Sequence, residues 1–455
     1  MVLGALSLSV PCASAQVSLA TAVDLALRSD PKVKMAQADH DRAVAALAEA
    51  HDAFIPNIKS EGGVGKSAGV PLSLPVVFSI YAQSLAFNFS QEDYVRAARA
   101  GVAAADFALR EARDNTAEDV VNTYVSLDAA LQRKAALAQA SGFATRVSQI
   151  VEDRLNAGLD TRVELTRSRL TSARLRLQQL QNEDQIAGLA AHLARLTGVG
   201  GRNFVTVHDS VPAFTPNIIT DTVTSDSYGI QAAFANAHAK QEIARGDARY
   251  RWRPQLAFSA GYSRISTVGT NYILYYPGFD PSRHPDISYN SLDIGIQISL
   301  PLLDLIHQAK ARGSAAEAAR ARFQAEDERG QLFEGRMKLQ HAAAELSARA
   351  DIASLDRELA QDQLNAIEVQ LQSTTAAANG VEVNPRDEQN ARLEERQKFL
   401  DFLDADLELR KTEINLMKQN GQLGDWLHGA VAPPGVTPPP QGAGSVLPAA
   451  PTAPR

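Results

Sequence analysis

Glycines, a lysine and a serine stand together at Gly62-Gly63-Val64-Gly65-Lys66-Ser67, the residue types that cradle a phosphate. A phosphate loop wraps its anion in backbone N–H groups, needs a glycine five residues before Gly65, and runs on into a helix. Ser60 holds the glycine position, and Pro71 and Pro75 stand where the helix should be. Nucleotide binding is not expected. Nine histidines are scattered without an HExxH pair, so no zinc-protease site is read from them. Cys12 is the only cysteine, which leaves no disulfide framework and no CxxC metal site. Carboxylates are frequent but lie along helical stretches, where they ordinarily form a solvated face. The expectation is no enzyme, no cofactor and no metal.

The elements that hold these residues are more informative than the residues themselves. The formal net charge of −7 over 455 residues offers no basic excess for neutralising phosphates, so nucleic acid is not an expected partner. Proline is missing between Pro75 and Pro212, between Pro301 and Pro385, and between Pro385 and Pro433. A proline inside a helix costs roughly 3 kcal/mol, so these gaps mark where long helices can run. The first is read from Gln91 to Asn156, with Val95, Ala98, Val102, Ala105, Leu109, Ala112 and Thr116 stepping by three and four, and a phase shift near Val120. Ala157-Gly158-Leu159-Asp160 breaks it. A second helix follows from about Thr161 to Thr197, making an antiparallel hairpin with its tip at Gly158. Another runs from about Leu305 to Thr375, breaks at Ala378-Asn379-Gly380, and resumes at Pro385, a residue suited to a first helical turn.

Strands fill the gaps between helices. Leu292, Ile294, Ile296, Ile298 and Leu300 alternate with polar or small residues, and so do Leu256, Phe258, Ala260 and Tyr262. Period two with one apolar side defines a two-faced strand. Val76–Phe89 and Asn57–Lys66 are fainter strand readings. About ten residues spans a bilayer when the strand is tilted, and aromatics cluster near the strand ends as in interfacial girdles. A small amphipathic sheet capping a helical core is the plainer alternative. Four strands cannot close a membrane barrel, which needs about eight, so oligomerisation would have to supply the rest.

The order of helix, strand pair and long helical hairpin is written twice. Pro56 is matched 198 residues later by Pro254, and the stretch at Arg96 is matched 212 residues later by that at Gln308. Internal duplication of one unit explains this. The expected organisation is a signal peptide over 1–15, with Ala13-Ser14-Ala15 as its cleavage site, and a first repeat over 16–198. A connector over 199–226, a second repeat over 227–427 and a proline-rich disordered tail over 428–455 complete it.

This order, and the residues at its turns, resembles the TolC-like outer membrane efflux proteins. The resemblance rests on Arg154-Leu155-Asn156-Ala157-Gly158-Leu159 followed by Val163-Glu164-Leu165 and on Phe54-Ile55-Pro56 and Trp252-Arg253-Pro254 ahead of strands. Pro301-Leu302-Leu303-Asp304 after the last strand and the closing Gly424-Asp425-Trp426-Leu427 add to it. The second tip departs from the family pattern, reading Gly380-Val381-Glu382-Val383-Asn384-Pro385-Arg386-Asp387, with Asp387 its nearest acidic match.

The resemblance implies an α+β homotrimer, each chain giving four strands to a twelve-stranded transmembrane β-barrel and its hairpins to an α-barrel. Leu292, Ile294, Ile296, Ile298 and Leu300 would face outer membrane lipid. The tips, at Asn156, Gly158, Leu159, Asn379 and Gly380, would meet a periplasmic adaptor protein of an inner-membrane pump. Glu164 and Asp387 would stand near the periplasmic gate, where rings of carboxylate favour cations. The plainer reading makes both ordinary acids of a helix first turn. The implied function is a passive exit duct for small molecules or polypeptides; the competing expectation is a soluble periplasmic coiled-coil scaffold or pump adaptor.

Overall fold

The computed structural model describes residues 15–63, 76–199, 204–212, 226–250, 253–266, 290–301, 304–374 and 385–429. The expected second tip with Asn379 and Gly380, the signal segment before Ala15, most of the connector, and the tail beyond Gly429 lie outside them.

Two helices run about 100 Å each at 1.5 Å per residue: α3 (Phe89–Asn156) and α6 (Leu305–Thr374). The shorter helices are α1 (Leu19–Ser29), α2 (Pro31–Asp52), α4 (Arg162–Thr197), α5 (Tyr228–Arg249), α7 (Pro385–Gln419) and α8 (Leu423–Gly429). Short polar side chains start several of them by taking up otherwise orphaned N–H groups. Asn88 Oδ1 accepts from the Ser90 N–H at 2.9 Å at the head of α3. Asp30 does two jobs at the head of α2: Oδ1 accepts from the Lys32 N–H at 3.2 Å, and Oδ2 accepts from Thr116 Oγ1 at 2.7 Å. It thereby pins α2 to α3.

The core sits at mid-length of α3. Val120, Val121, Tyr124, Val125, Leu127 and Ala130 are buried, spread around the whole helix rather than on one stripe. This is where the seam read between Val95 and Thr116 changes phase, and Leu19, Leu193, Ile414 and Met417 close over it. The Tyr124 hydroxyl donates to the Val17 carbonyl at 2.8 Å and accepts from the Val207 N–H at 2.7 Å. It so ties down the parallel pair of β1 (Ala15–Val17) and β4 (Phe204–Thr206). Burial pushes the Tyr124 phenol up from its ordinary pKa.

Four further strands form one antiparallel sheet in the order β2 (Asn57–Gly63), β3 (Val76–Phe87), β5 (Gln255–Ser266), β6 (Asn290–Ser299). Each repeat contributes a hairpin, and the β3–β5 pairing joins the two. The helices lie in matching arcs: α2, α3, α5 and α6 are successive neighbours in one half, and α4, α3, α7 and α6 in the other. The same two margins recur in every layer. One consists of α2, β2 and α4 from the first repeat, the other of β6 and α6 from the second.

Below the sheet, α3, α5 and α6 are clamped by buried charge. Asp93 Oδ1 accepts from Arg96 and, at 3.0 Å, from Arg249 Nη1. Glu242 accepts from Arg245 and, at 3.2 Å, from Arg96 Nε. Asp247 accepts from Tyr94 Oη at 2.6 Å and from Ser314, and pairs with Lys310 Nζ at 3.0 Å. Burial opposes the Asp247 charge, but donors from Ser314, Tyr94 and Lys310 outweigh it and hold the carboxyl below its ordinary pKa. The helices approach closely at Gly246, where an added Cβ would stand 2.8 Å from Tyr94 Cε1.

Candidate functional site: the hairpin tip and the two-faced sheet

The first tip is built by glycine. Gly158 takes φ +74°, a left-handed conformation that an added side chain would strain, although no atom crowds it. Its N–H donates to the Leu155 carbonyl at 3.0 Å, and that of Leu159 to the Arg154 carbonyl at 2.8 Å, closing the end of α3. Leu159 is left 66% exposed at the turn. Thr161 Oγ1 then accepts from the Glu164 N–H at 3.3 Å and starts α4.

Thr161-x-x-Glu164 has the form of a capping box, in which the acid reaches back to the cap. Here the Glu164 carboxylate instead accepts from Arg167 Nη1 at 2.9 Å and from Arg386 Nη2 at 2.8 Å. Asp160 pairs with Arg154 Nε at 3.1 Å and with Arg386 Nη1 at 3.6 Å. One guanidinium in the first turn of α7 therefore bridges both acids of the opposite hairpin. A cleft of about 140 Å³ lies beside it, lined by Val147, Val151, Ser168 and Leu393 among others. Asp387 is exposed in the same first turn and makes no ion pair or hydrogen bond among the described residues. The two expected gate residues are thus treated differently: Glu164 is neutralised by two arginines, and Asp387 is not neutralised. Arg386 was not singled out from the sequence, because its partner Glu164 is 222 residues away along the chain.

The strand register sorts the sheet into two faces. One row reads Ile58, Ala82, Ala260, Ile294; the next reads Ser60, Ile80, Tyr262, Leu292. The alternate rows, on the opposite face, read Lys59, Tyr81, Gly261, Asp293 and Glu61, Ser79, Ser263, Ser291. An apolar face and a polar face therefore run through all four strands. On β6, Leu292 is 72% and Ile296 71% exposed, on a strand whose outer edge has no partner among the described residues. Leu300 follows the strand's end and is exposed as well. No described helix is long and apolar enough to cross a membrane. Among the described residues no cluster of His, Cys, Asp and Glu could hold a metal ion.

Residues 22–199 match the model of a family described as outer membrane efflux protein. No curated protein sequence matches the chain. Among solved structures, the CmeC outer membrane channel of Campylobacter jejuni aligns with a TM-score of 0.71 at 15% identity, covering 89% of this chain and 86% of that one. The outer membrane protein VceC of Vibrio cholerae aligns with a TM-score of 0.70 at 17% identity, covering 89% and 96%. The open state of the Neisseria gonorrhoeae MtrE outer membrane channel aligns at 0.63 and 13% identity, covering 89% of each. At such identities these likenesses establish the fold. The first repeat thus matches the outer membrane efflux protein family, and most of the chain takes the fold of outer membrane channels of this kind.

Proposed function

We propose that the protein is the outer membrane channel-tunnel of a tripartite efflux or type I secretion system. It is a passive exit duct reaching from the outer membrane into the periplasm, and an inner-membrane pump supplies the energy. The observation that carries this reading is the pair of matching margins. Among the described residues, every layer is an open four-element arc with the same two free edges. The apolar row of β6 is exposed beside an unpaired strand edge, an arrangement soluble proteins avoid because it templates aggregation. Both problems vanish if the α6/β6 margin of one copy meets the α2/β2/α4 margin of the next. Such a head-to-tail contact closes into a ring. Three copies bring the four strands of each to a twelve-stranded barrel, with Leu292, Ile294, Ile296, Ile298 and Leu300 against lipid and the Lys59–Asp293 face lining water.

In that assembly the tips are the periplasmic end. Asn156, Gly158 and Leu159, with Asn379 and Gly380 of the second hairpin, meet the adaptor protein. Glu164 and Asp387 stand at the gate, where Arg386 latches the two hairpins of one protomer and Asp387 contributes free negative charge. The test is direct. The detergent-extracted protein should have the mass of three chains and conduct ions in a planar bilayer. A photo-crosslinker at Leu159 should capture a periplasmic adaptor from intact cells. A monomer that stays in solution without detergent and forms no pore overturns the reading.

A further inference from the structure

The apolar face of the sheet ends on a charge. Along β5, Leu256, Phe258, Ala260 and Tyr262 share one face by parity, and Arg264 is the next residue on it. The register confirms the placement. Arg264 lies opposite Phe78 of β3 and Asn290 of β6, one apolar row beyond Ile80, Tyr262 and Leu292. The opposite face is separately paired at this level, where Ser263 Oγ and Ser291 Oγ are 2.7 Å apart. Arg264 is exposed and forms no ion pair, hydrogen bond or ring contact among the described residues. Arginine at the other end of the strand is handled differently: Arg253 lies over the Phe89 ring at 4.5 Å. Beside Arg264, Tyr262 Oη donates to Asn290 Oδ1 at 3.0 Å, so a phenol and an amide flank the guanidinium.

A permanently charged fork on a lipid-side face persists only at the level of the headgroups, where it can reach a counter-ion. β5 leaves the helical end of the molecule at Gln255, so Arg264 stands at the far rim, about 26 Å along the strand from Leu256 at 3.3 Å per residue, before tilt. Guanidinium matches phosphate with two parallel N–H donors. We propose that Arg264, flanked by Tyr262 and Asn290, binds a phosphate group of an outer-leaflet lipid, so that each copy in the ring carries one anionic-lipid contact. This rests on the channel reading, since only an embedded sheet presents that face to lipid.

The test uses the full-length protein in neutral detergent, with thermal dissociation of the oligomer as the readout. Lipopolysaccharide should raise the midpoint by several degrees, while phosphatidylcholine micelles or inorganic phosphate should not. Arg264→Gln should abolish the rise, Arg264→Lys should keep part of it, and Arg253→Gln should keep all of it. Enzymatic removal of the lipid phosphates should abolish the rise for the unaltered protein, an arm that needs no variant to fold. An equal rise for Arg264→Gln, an equal rise with phosphatidylcholine, or one produced by inorganic phosphate alone overturns the proposal. Pores that still form in pure phosphatidylcholine leave the channel reading standing when the lipid preference fails. No pore in any bilayer removes both.

Discussion

Two of the molecule's ionic clusters, one below the sheet and one at the hairpin tip, differ in burial rather than in chemistry. Below the sheet the side chains of Asp93, Glu242 and Asp247 are 0%, 3% and 1% exposed. At the tip those of Glu164 and Arg386 are 27% and 26% exposed. A buried carboxylate deprived of its cation has no water to fall back on, so breaking such a pair costs about 3–5 kcal/mol. A pair that water can reach loses ~1 kcal/mol or less. The first cluster is therefore a permanent clamp fixing α3, α5 and α6 where the strands begin. The second can part and re-form at small cost, which suits the proposed gate.

The comparison can be broken most forcefully at Asp247. Lys310→Ala leaves the buried Asp247 carboxylate without its cation and should destabilise the protein by about 3–5 kcal/mol in denaturant unfolding. Gly246→Ala probes the same clamp through packing. Overpacking costs about 1–3 kcal/mol, against about 1 kcal/mol gained from helix propensity, so the net change should be a smaller destabilisation. Acid offers a third approach. Because the folded Asp247 pKa is lowered, its stabilisation is complete above the unfolded value of about 3.9 and is lost as pH falls through the folded value. Asp247→Asn should therefore flatten the stability profile below about pH 4. An unchanged profile would show that the clamp does not depend on this charge.

How much of this was legible in the sequence differs element by element. The long helices follow from proline spacing: α7 begins on Pro385 itself, and α3 begins at Phe89, two residues before the expected Gln91. β6 announces itself through strict alternation of Leu and Ile with polar residues. β2 is faint because Asn57–Gly63 is short and glycine-rich, and pairing with β3 defines it more than propensity does. The ionic clusters were not legible at all. Glu242 and Asp247 resemble the solvated face of any helix until a neighbouring helix covers them, and Arg386 meets Glu164 only after two hairpins fold side by side. Periodicity reports which face of an element is buried, not which distant charge will lie across from it. Leu159 and Gly158 lie between these extremes: the helix break is local and readable, whereas the proposed role of the exposed leucine depends on a partner protein.

The smallest expected effect on stability falls at the tip, and it separates a latch from an ordinary surface pair. Arg386→Ala should change unfolding free energy by ~1 kcal/mol or less, yet it releases both Asp160 and Glu164 from the second hairpin. If the hairpins must part for the gate to open, single-channel conductance in a planar bilayer should rise. Glu164→Gln should raise it less, because Arg386 keeps Asp160. Combining the two should add little to Arg386→Ala alone, since both act through one guanidinium. Arg386→Lys should behave like a partial loss, because a point charge cannot span two carboxylates as a fork does. Asp387→Ala is the discriminating control: with no partner to release, it should leave the open frequency alone and weaken only block by cations. Conductance indifferent to Arg386→Ala would reduce the tip cluster to a helix-end ion pair and leave burial as the only difference between the two regions.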